Sequence, residues 1–155
     1  MKVLFTKSNT LSSWIIRHVL NEPISHCAIL LEDRNIVLHS TMDGVSVISA
    51  VDFYRQNEVL FSVDVSDNKA AHQFDNWDVE DMLILLDSPY DFVAFMALGV
   101  RALGKRLGIN TKKVDVWQLS GMFLCTEFVD AIVRVDESNK LMTPMELYII
   151  LSKRY

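Results

Sequence analysis

The stretch from Ile24 to Val65 constrains the fold more than any other part of the chain. Short apolar runs follow one another there, each closed by a cluster of turn-forming residues. Ile24 to Glu32 reads as a strand and Glu32-Asp33-Arg34-Asn35 as a turn. Ile36 to Ser40 reads as a second strand and Met42-Asp43-Gly44 as a second turn. Val45 to Ile48 alternates and gives a third strand. Glu58 to Val65 is the clearest strand, with Val59, Phe61, Val63 and Val65 alternating with Leu60, Ser62 and Asp64. Together these runs predict an antiparallel sheet arranged as a meander.

The flanking segments add helices. Lys2 to Thr6 reads as a short strand. Asn9 or Thr10 can cap a helix running to about Leu20, which Glu22-Pro23 ends because proline cannot continue the ladder. Ala50 to Gln56 reads as a short helical turn. The second half is helical throughout. Lys69 to Leu86 is amphipathic, and Ser88-Pro89-Tyr90-Asp91 breaks it. Phe92 to Leu107 ends at Gly108, and Val114 to Leu119 is ambiguous. Ser120 and Gly121 precede a helix that carries Leu124, Phe128, Val129 and Ile132 on one face and runs to about Val133. Thr143-Pro144 starts the last helix, with threonine as cap and proline in the first turn. Strands followed by helices give an α+β fold, and 155 residues fit one domain over 1–155.

Composition narrows the function. Half the residues are apolar, as in globular chains. A net charge of −5 argues against nucleic acid as a partner, since phosphate binding wants a basic stripe. The N-terminal apolar run of three residues is too short for a signal-peptide core, and no stretch approaches the length of a membrane span. The expected location is cytoplasmic, where Cys27 and Cys125 stay reduced. No cofactor and no metal is expected.

Cys125 is the first candidate for chemistry. A thiol in the first turn of a helix feels the positive end of the helix dipole, which favours the nucleophilic thiolate. A small buried hydrophobe is the bland alternative for any free cysteine. Two histidines bear on the choice. His26 lies near the start of one sheet strand and His39 near the end of the next. If Glu32-Asp33 alone close the hairpin, paired residue numbers sum to about 65 and the two face each other directly. A four-residue loop, or a register shifted by two, makes them diagonal neighbours on one face, roughly 7–8 Å apart. An odd-length loop without a bulge separates them. Cys27 follows His26, points to the other face, and reads as an inert core residue. A cysteine attacking an acyl carbon, a histidine moving its proton and a third polar group orienting that imidazole form a nucleophilic triad.

These motifs carry a resemblance. Ser25-His26-Cys27-Ala28-Ile29, Val37-Leu38-His39, Ser88-Pro89-Tyr90-Asp91 and Phe123-Leu124-Cys125-Thr126-Glu127-Phe128-Val129, in that order, resemble the circularly permuted branch of the NlpC-type papain-like cysteine hydrolases. That branch includes the YiiX-like and the lecithin–retinol acyltransferase-like proteins. In it the nucleophile helix follows the histidine strands. The resemblance implies a permuted papain-like fold, Cys125 as nucleophile, His26 as general base and acid, His39 as orienting residue and Tyr90 near the oxyanion. Thr143-Pro144-Met145-Glu146-Leu147 resembles the branch's closing motif. The chain departs from the pattern at Ser88-Pro89, where a glycine is usual, and in the long insert between Tyr90 and Cys125.

The implied activity is that of a cysteine hydrolase of amidase or peptidase type working through a thioester. The alternatives are lipid acyl transfer or thioester cleavage at the same site, or a binding protein on the same fold. The partner is then a small-molecule, peptide or lipid acyl substrate. Other residues read more simply. Glu127 points away from Cys125 and fits a structural role, and Asp91 fits a helix cap. A zinc site from His26, His39 and Cys125 lacks any supporting Cys-x-x-Cys or His-x-x-x-His spacing. Lys105-Arg106 with Lys112-Lys113 forms a small basic patch, by default solvated, alternatively a contact for an anionic lipid or partner. Trp14, Trp77 and Trp117 fit core or pocket walls, and Gly108 to Val116 is polar enough for a lid.

Overall fold

Five strands form one antiparallel sheet: β1 (Lys2–Lys7), β2 (His26–Leu31), β3 (Ile36–Thr41), β4 (Gly44–Ser49) and β5 (Glu58–Asp64), in the order β4-β3-β2-β1-β5. The computed structural model describes residues 1–75, 86, 88–108, 122–135 and 141–155. Among these, six α-helices accompany the sheet: α1 (Leu11–Leu20), α2 (Ala50–Gln56), α3 (Lys69–Asp75), α4 (Phe92–Arg106), α5 (Cys125–Val133) and α6 (Pro144–Arg154). The α+β architecture expected from the sequence is present. Trp77, Trp117, Lys112, Lys113, Ser120, Gly121, the Val114–Leu119 segment and most of the proposed lid lie outside the described residues.

The topology departs from a meander. β2, β3 and β4 follow one another, but β5 does not pair with β4. The chain crosses the sheet through α2 and returns on the far edge, where β5 pairs with β1. α2 makes that crossing possible by burying Ala50 and Phe53 against Leu4, Ala28, Leu30 and Val37. β2 is therefore the middle strand, covered on both faces, which explains why every residue from Cys27 to Leu31 is apolar and buried.

β5 also departs from strict alternation. Phe5 pairs with Phe61 but Thr6 pairs with Val59, so Leu60 is the extra residue of a bulge. Val59 turns to the α2 face while Leu60 turns to the main core.

The main core fills the other face. Val3, Phe5, Cys27, Ile29, Leu31 and Leu38 meet Phe128, Val129 and Ile132 of α5 and Leu147 and Leu151 of α6. α5 ends at Arg134, which takes the left-handed conformation at φ 52°. α6 begins as the sequence indicates. Thr143 Oγ1 accepts from the Glu146 N–H, Glu146 accepts from the Thr143 N–H, and Pro144 fills the first turn. α1 and α4 pack side by side at one end of the sheet. Gly99 faces Val19, and Arg106 donates to the His18 carbonyl. Asp91 caps α4 by accepting from the Ala94 N–H at 2.8 Å.

Candidate active site

Hairpin geometry brings the histidines together. Leu31 pairs with Ile36 and Ile29 with Leu38, so Glu32 to Asn35 form a four-residue connection with Asn35 left-handed at φ 53°. An even connection keeps His26 and His39 on one face, in the diagonal relation. His26 Nε2 lies 3.3 Å from His39 Nδ1, and the rings meet edge to face at 5.5 Å. Phe53 of α2 covers both, with its ring 5.6 Å from His39 and 6.5 Å from His26.

Cys125 approaches from the opposite face. It is the first residue of α5, which packs on β2 and β3. The backbone just before it is pinned from two sides. Ser40 Oγ donates to the Phe123 carbonyl at 2.7 Å, and the Phe123 N–H donates to the Pro89 carbonyl at 3.0 Å. Glu127 closes the turn by accepting from the Leu124 N–H at 2.9 Å, a structural part as expected. This places the thiol at the start of β2, where it lines one cavity together with His26 and His39. Because Nε2 of His26 is turned to His39, Nδ1 is the nitrogen left for the thiol.

Cys27 sits where the sequence places it, but its neighbour is one the sequence does not show. It is fully buried, as expected, but the face it points to is the one that carries α5. Its thiol and its backbone N–H neighbour the Cys125 sulfur and favour negative charge there. Donation from the Cys27 thiol is the largest influence on Cys125. With the His26 imidazole and the Cys27 N–H it outweighs burial and holds Cys125 well below the ordinary thiol range. Cys27 moves the opposite way, raised by burial and by the neighbouring sulfur. The negative charge of the pair therefore sits on Cys125. Strict alternation along β2 puts Cys27 on the α5 face. The missing information was which face α5 would cover.

Burial, and then the charge of His26, lower His39 to about 4. His39 is thus neutral near pH 7, and its Nδ1 can accept from His26 Nε2–H. Unfolding returns His39 to its ordinary 6.5, so between about pH 4 and 6.5 the unfolded chain binds a proton that the folded chain does not. This contribution to stability is complete above pH 6.5 and is lost as pH falls toward 4. Discounted for the partly exposed ring, it amounts to roughly 1–2 kcal/mol. Urea unfolding across this window should show the slope, and His39→Asn should remove it. Equal slopes in the two proteins would contradict the assignment.

Tyr90 lines the same cavity as the thiol and both histidines. Burial, then the Cys125 charge, push its phenol far up, so it remains a protonated donor. Two cavities meet at Cys125 and Tyr90. The larger, about 200 Å³, has hydroxyls on its wall from Ser8, Thr10, Ser12 and Ser13 on one side and Ser25, Ser40 and Thr41 on the other. No Asp, Glu, Lys or Arg is among its described lining residues. The Ser13 and Ser25 hydroxyls lie 2.7 Å apart and tie α1 to the entry of β2. The smaller cavity, about 20 Å³, is apolar, with Ile16, Leu20, Phe95, Leu98 and Leu124 around it. Nothing in the local pattern of α1 marked it as a wall of the site, because its cleft-facing serines are ordinary helix-start residues.

Among the described residues, no group of three or more His, Cys, Asp or Glu side chains is placed to hold a metal ion, and no helix is long and apolar enough to cross a membrane. Compared with protein-family models, curated proteins and solved structures, the chain matches none.

Proposed function

We propose that the chain is a cysteine hydrolase of amidase or peptidase type on a circularly permuted papain-like fold. The observation that carries the reading is the convergence of Cys125, His26 and His39 on one cavity, where a helix-start thiol faces an imidazole whose far nitrogen is held by a neutral second imidazole. The chain order, histidine strands before the nucleophile helix, supports the permuted topology.

Cys125 attacks the carbonyl carbon of an amide as the thiolate, and the carbonyl π electrons move to oxygen. The first helical N–H, which has no intrahelical acceptor, and the Tyr90 phenol stabilise that oxyanion. Collapse expels the amine, which takes its proton from the His26 imidazolium, and leaves a thioester on Cys125. Water then attacks the thioester with His26 taking a proton. The acid departs and the thiolate is restored. His39 accepts from His26 Nε2–H throughout and keeps Nδ1 aimed at sulfur.

The uncharged, hydroxyl-rich cleft fits a neutral, hydrogen-bonding substrate such as a peptide or a substituted amide. The apolar cavity beside the thiol is about 20 Å³ against about 200 Å³ for the hydroxyl-walled cleft, which favours amide cleavage over lipid acyl transfer.

The test is the rate at which a small haloacetamide alkylates each cysteine as a function of pH. Cys125 should react fast already at about pH 6, with Cys27 inert. Cys27→Ala should slow Cys125 at low pH while leaving its rate at high pH unchanged, since it removes the donor that most stabilises the thiolate. A Cys125 that reacts only above about pH 8, like a free thiol, would rule the reading out in favour of a binding protein.

A further inference from the structure

The nucleophile helix is preceded by a peptide unit held at both of its ends. The Phe123 carbonyl accepts from the Ser40 hydroxyl at 2.7 Å, and the Leu124 N–H donates to the Glu127 carboxylate at 2.9 Å. The carbonyl and N–H of one trans peptide point in opposite directions. Two bonds on opposite sides therefore fix the plane of the Phe123–Leu124 unit. The helix fixes the next plane. The Leu124 carbonyl accepts from the Phe128 N–H at 2.8 Å, which leaves the Cys125 N–H pointing back out of the helix start. Leu124 joins the two planes in an extended conformation, at φ −71° and ψ 160°.

Ser40 sits where this clamp can serve the chemistry. It follows His39 on β3, is 1% exposed, and lines the cleft together with Tyr90 and Cys125. A buried hydroxyl is costly unless bonded, and this one bonds the lead-in to the nucleophile helix. Its cross-strand partner in β4 is Val45, whose N–H donates to the Ser88 carbonyl at 3.0 Å. The Phe123 N–H in turn donates to the Pro89 carbonyl. One end of the β3–β4 hairpin thus holds the backbone before Cys125 through Ser40 and the backbone before Tyr90 through Val45. Donors fixed in advance stabilise an oxyanion strongly because nothing has to reorganise as charge develops.

We propose that Ser40 is a positioning residue for the oxyanion site. Its bond to the Phe123 carbonyl aims the Cys125 N–H, beside the Tyr90 phenol, at the carbonyl oxygen of the acyl substrate. The inference rests on the acyl-transfer reading of Cys125 and deepens it. Ser40 acts through the backbone and not on the sulfur, so it governs acylation and leaves the reactivity of the thiolate alone.

The experiment compares two reactions of Cys125 that differ in their need for an oxyanion site. Iodoacetamide is attacked at a saturated carbon and iodide leaves, so no charge develops on oxygen. p-Nitrophenyl acetate is attacked at its carbonyl carbon, and the π electrons move to oxygen. They return as p-nitrophenolate leaves, and the acetyl group stays on sulfur. Release of p-nitrophenolate gives the rate, and peptide mass places the acetyl group on Cys125. Ser40→Ala should slow acetylation by about 10–100-fold and leave alkylation unchanged from about pH 6 to 9. Ser40→Thr and Ser40→Val share one shape, suit a strand, and differ in the hydroxyl. Threonine should restore acetylation and valine should not, and this pair carries the test if the alanine variant does not fold. Equal acetylation in the threonine and valine variants overturns the proposal. So does a folded Ser40→Ala protein that loses both reactions together, since Ser40 would then only hold the helix in place. A wild-type Cys125 that is alkylated only above about pH 8 removes the acyl-transfer reading and Ser40's role with it. A fast wild-type thiol whose acetylation ignores Ser40 removes the role of Ser40 alone.

Discussion

His26→Ala should slow alkylation of Cys125 at about pH 6, by at most about two to three orders of magnitude because the Cys27 donors remain. An unassisted thiol with a pKa of about 8.5 is only about 0.3% thiolate at that pH. The imidazole is one of the three donors that hold Cys125 low, and it is the only one that becomes cationic. Its removal leaves Cys27 to share a proton with Cys125 in a site where burial already favours the neutral thiol. Above about pH 9 the thiol ionises without help, so wild-type and variant rates should converge there. That convergence distinguishes loss of the acid–base partner from a collapsed site, which would slow the reaction at every pH. Hydrolysis of an amide substrate should fall further, by about 10²–10⁴-fold, because His26 also delivers the leaving-group proton. Undiminished alkylation at pH 6 in His26→Ala would mean that the helix terminus and Cys27 suffice, and His26 would lose its role.

Local chemistry made most of the elements legible before the structure. Asn35 turns a hairpin because it tolerates the left-handed conformation, and Thr143-Pro144 starts a helix because it satisfies the first-turn N–H groups. His26 and His39 were readable as a pair because side-chain direction alternates along both strands. The remainder depended on contacts between residues far apart in sequence. β5 beside β1 follows from the burial of Phe53 under the sheet, and no pattern within Glu58–Asp64 announces it. The bulge at Leu60 breaks an alternation that looks clean in one dimension, because the core there takes Leu60 and rejects Val59. Cys27 read as inert for a related reason. Its direction relative to His26 was known, but the element covering its face was not, and that element brings the nucleophile. The serines of α1 joined the site only through the approach of Ser13 to Ser25.

Phe53→Ala should be the most destabilising single truncation at the site, costing about 3–5 kcal/mol as for other buried phenylalanines. Phe53 is fully buried, and it is the side chain through which the short helix α2 holds Leu4, Ala28, Leu30 and Val37. A seven-residue helix has little stability of its own, so it depends on this contact. The ring also roofs the histidine pair. With it gone, water reaches His39, whose lowered value arises first from burial, so His39 should titrate closer to its ordinary 6.5 than to about 4. A protonated His39 cannot accept from His26 Nε2–H, and Cys125 alkylation should then decline as pH falls through that higher value. Phe53→Leu keeps most of the apolar volume and should cost less, which leaves a folded protein for the titration if the alanine variant unfolds. Urea midpoints give the stability, and NMR titration of the His39 ring gives the ionisation. A loss below about 1 kcal/mol, or a His39 that still titrates near 4 in a folded variant, would mean that α2 is held by other contacts and that the shielding of the pair comes from elsewhere in the sheet.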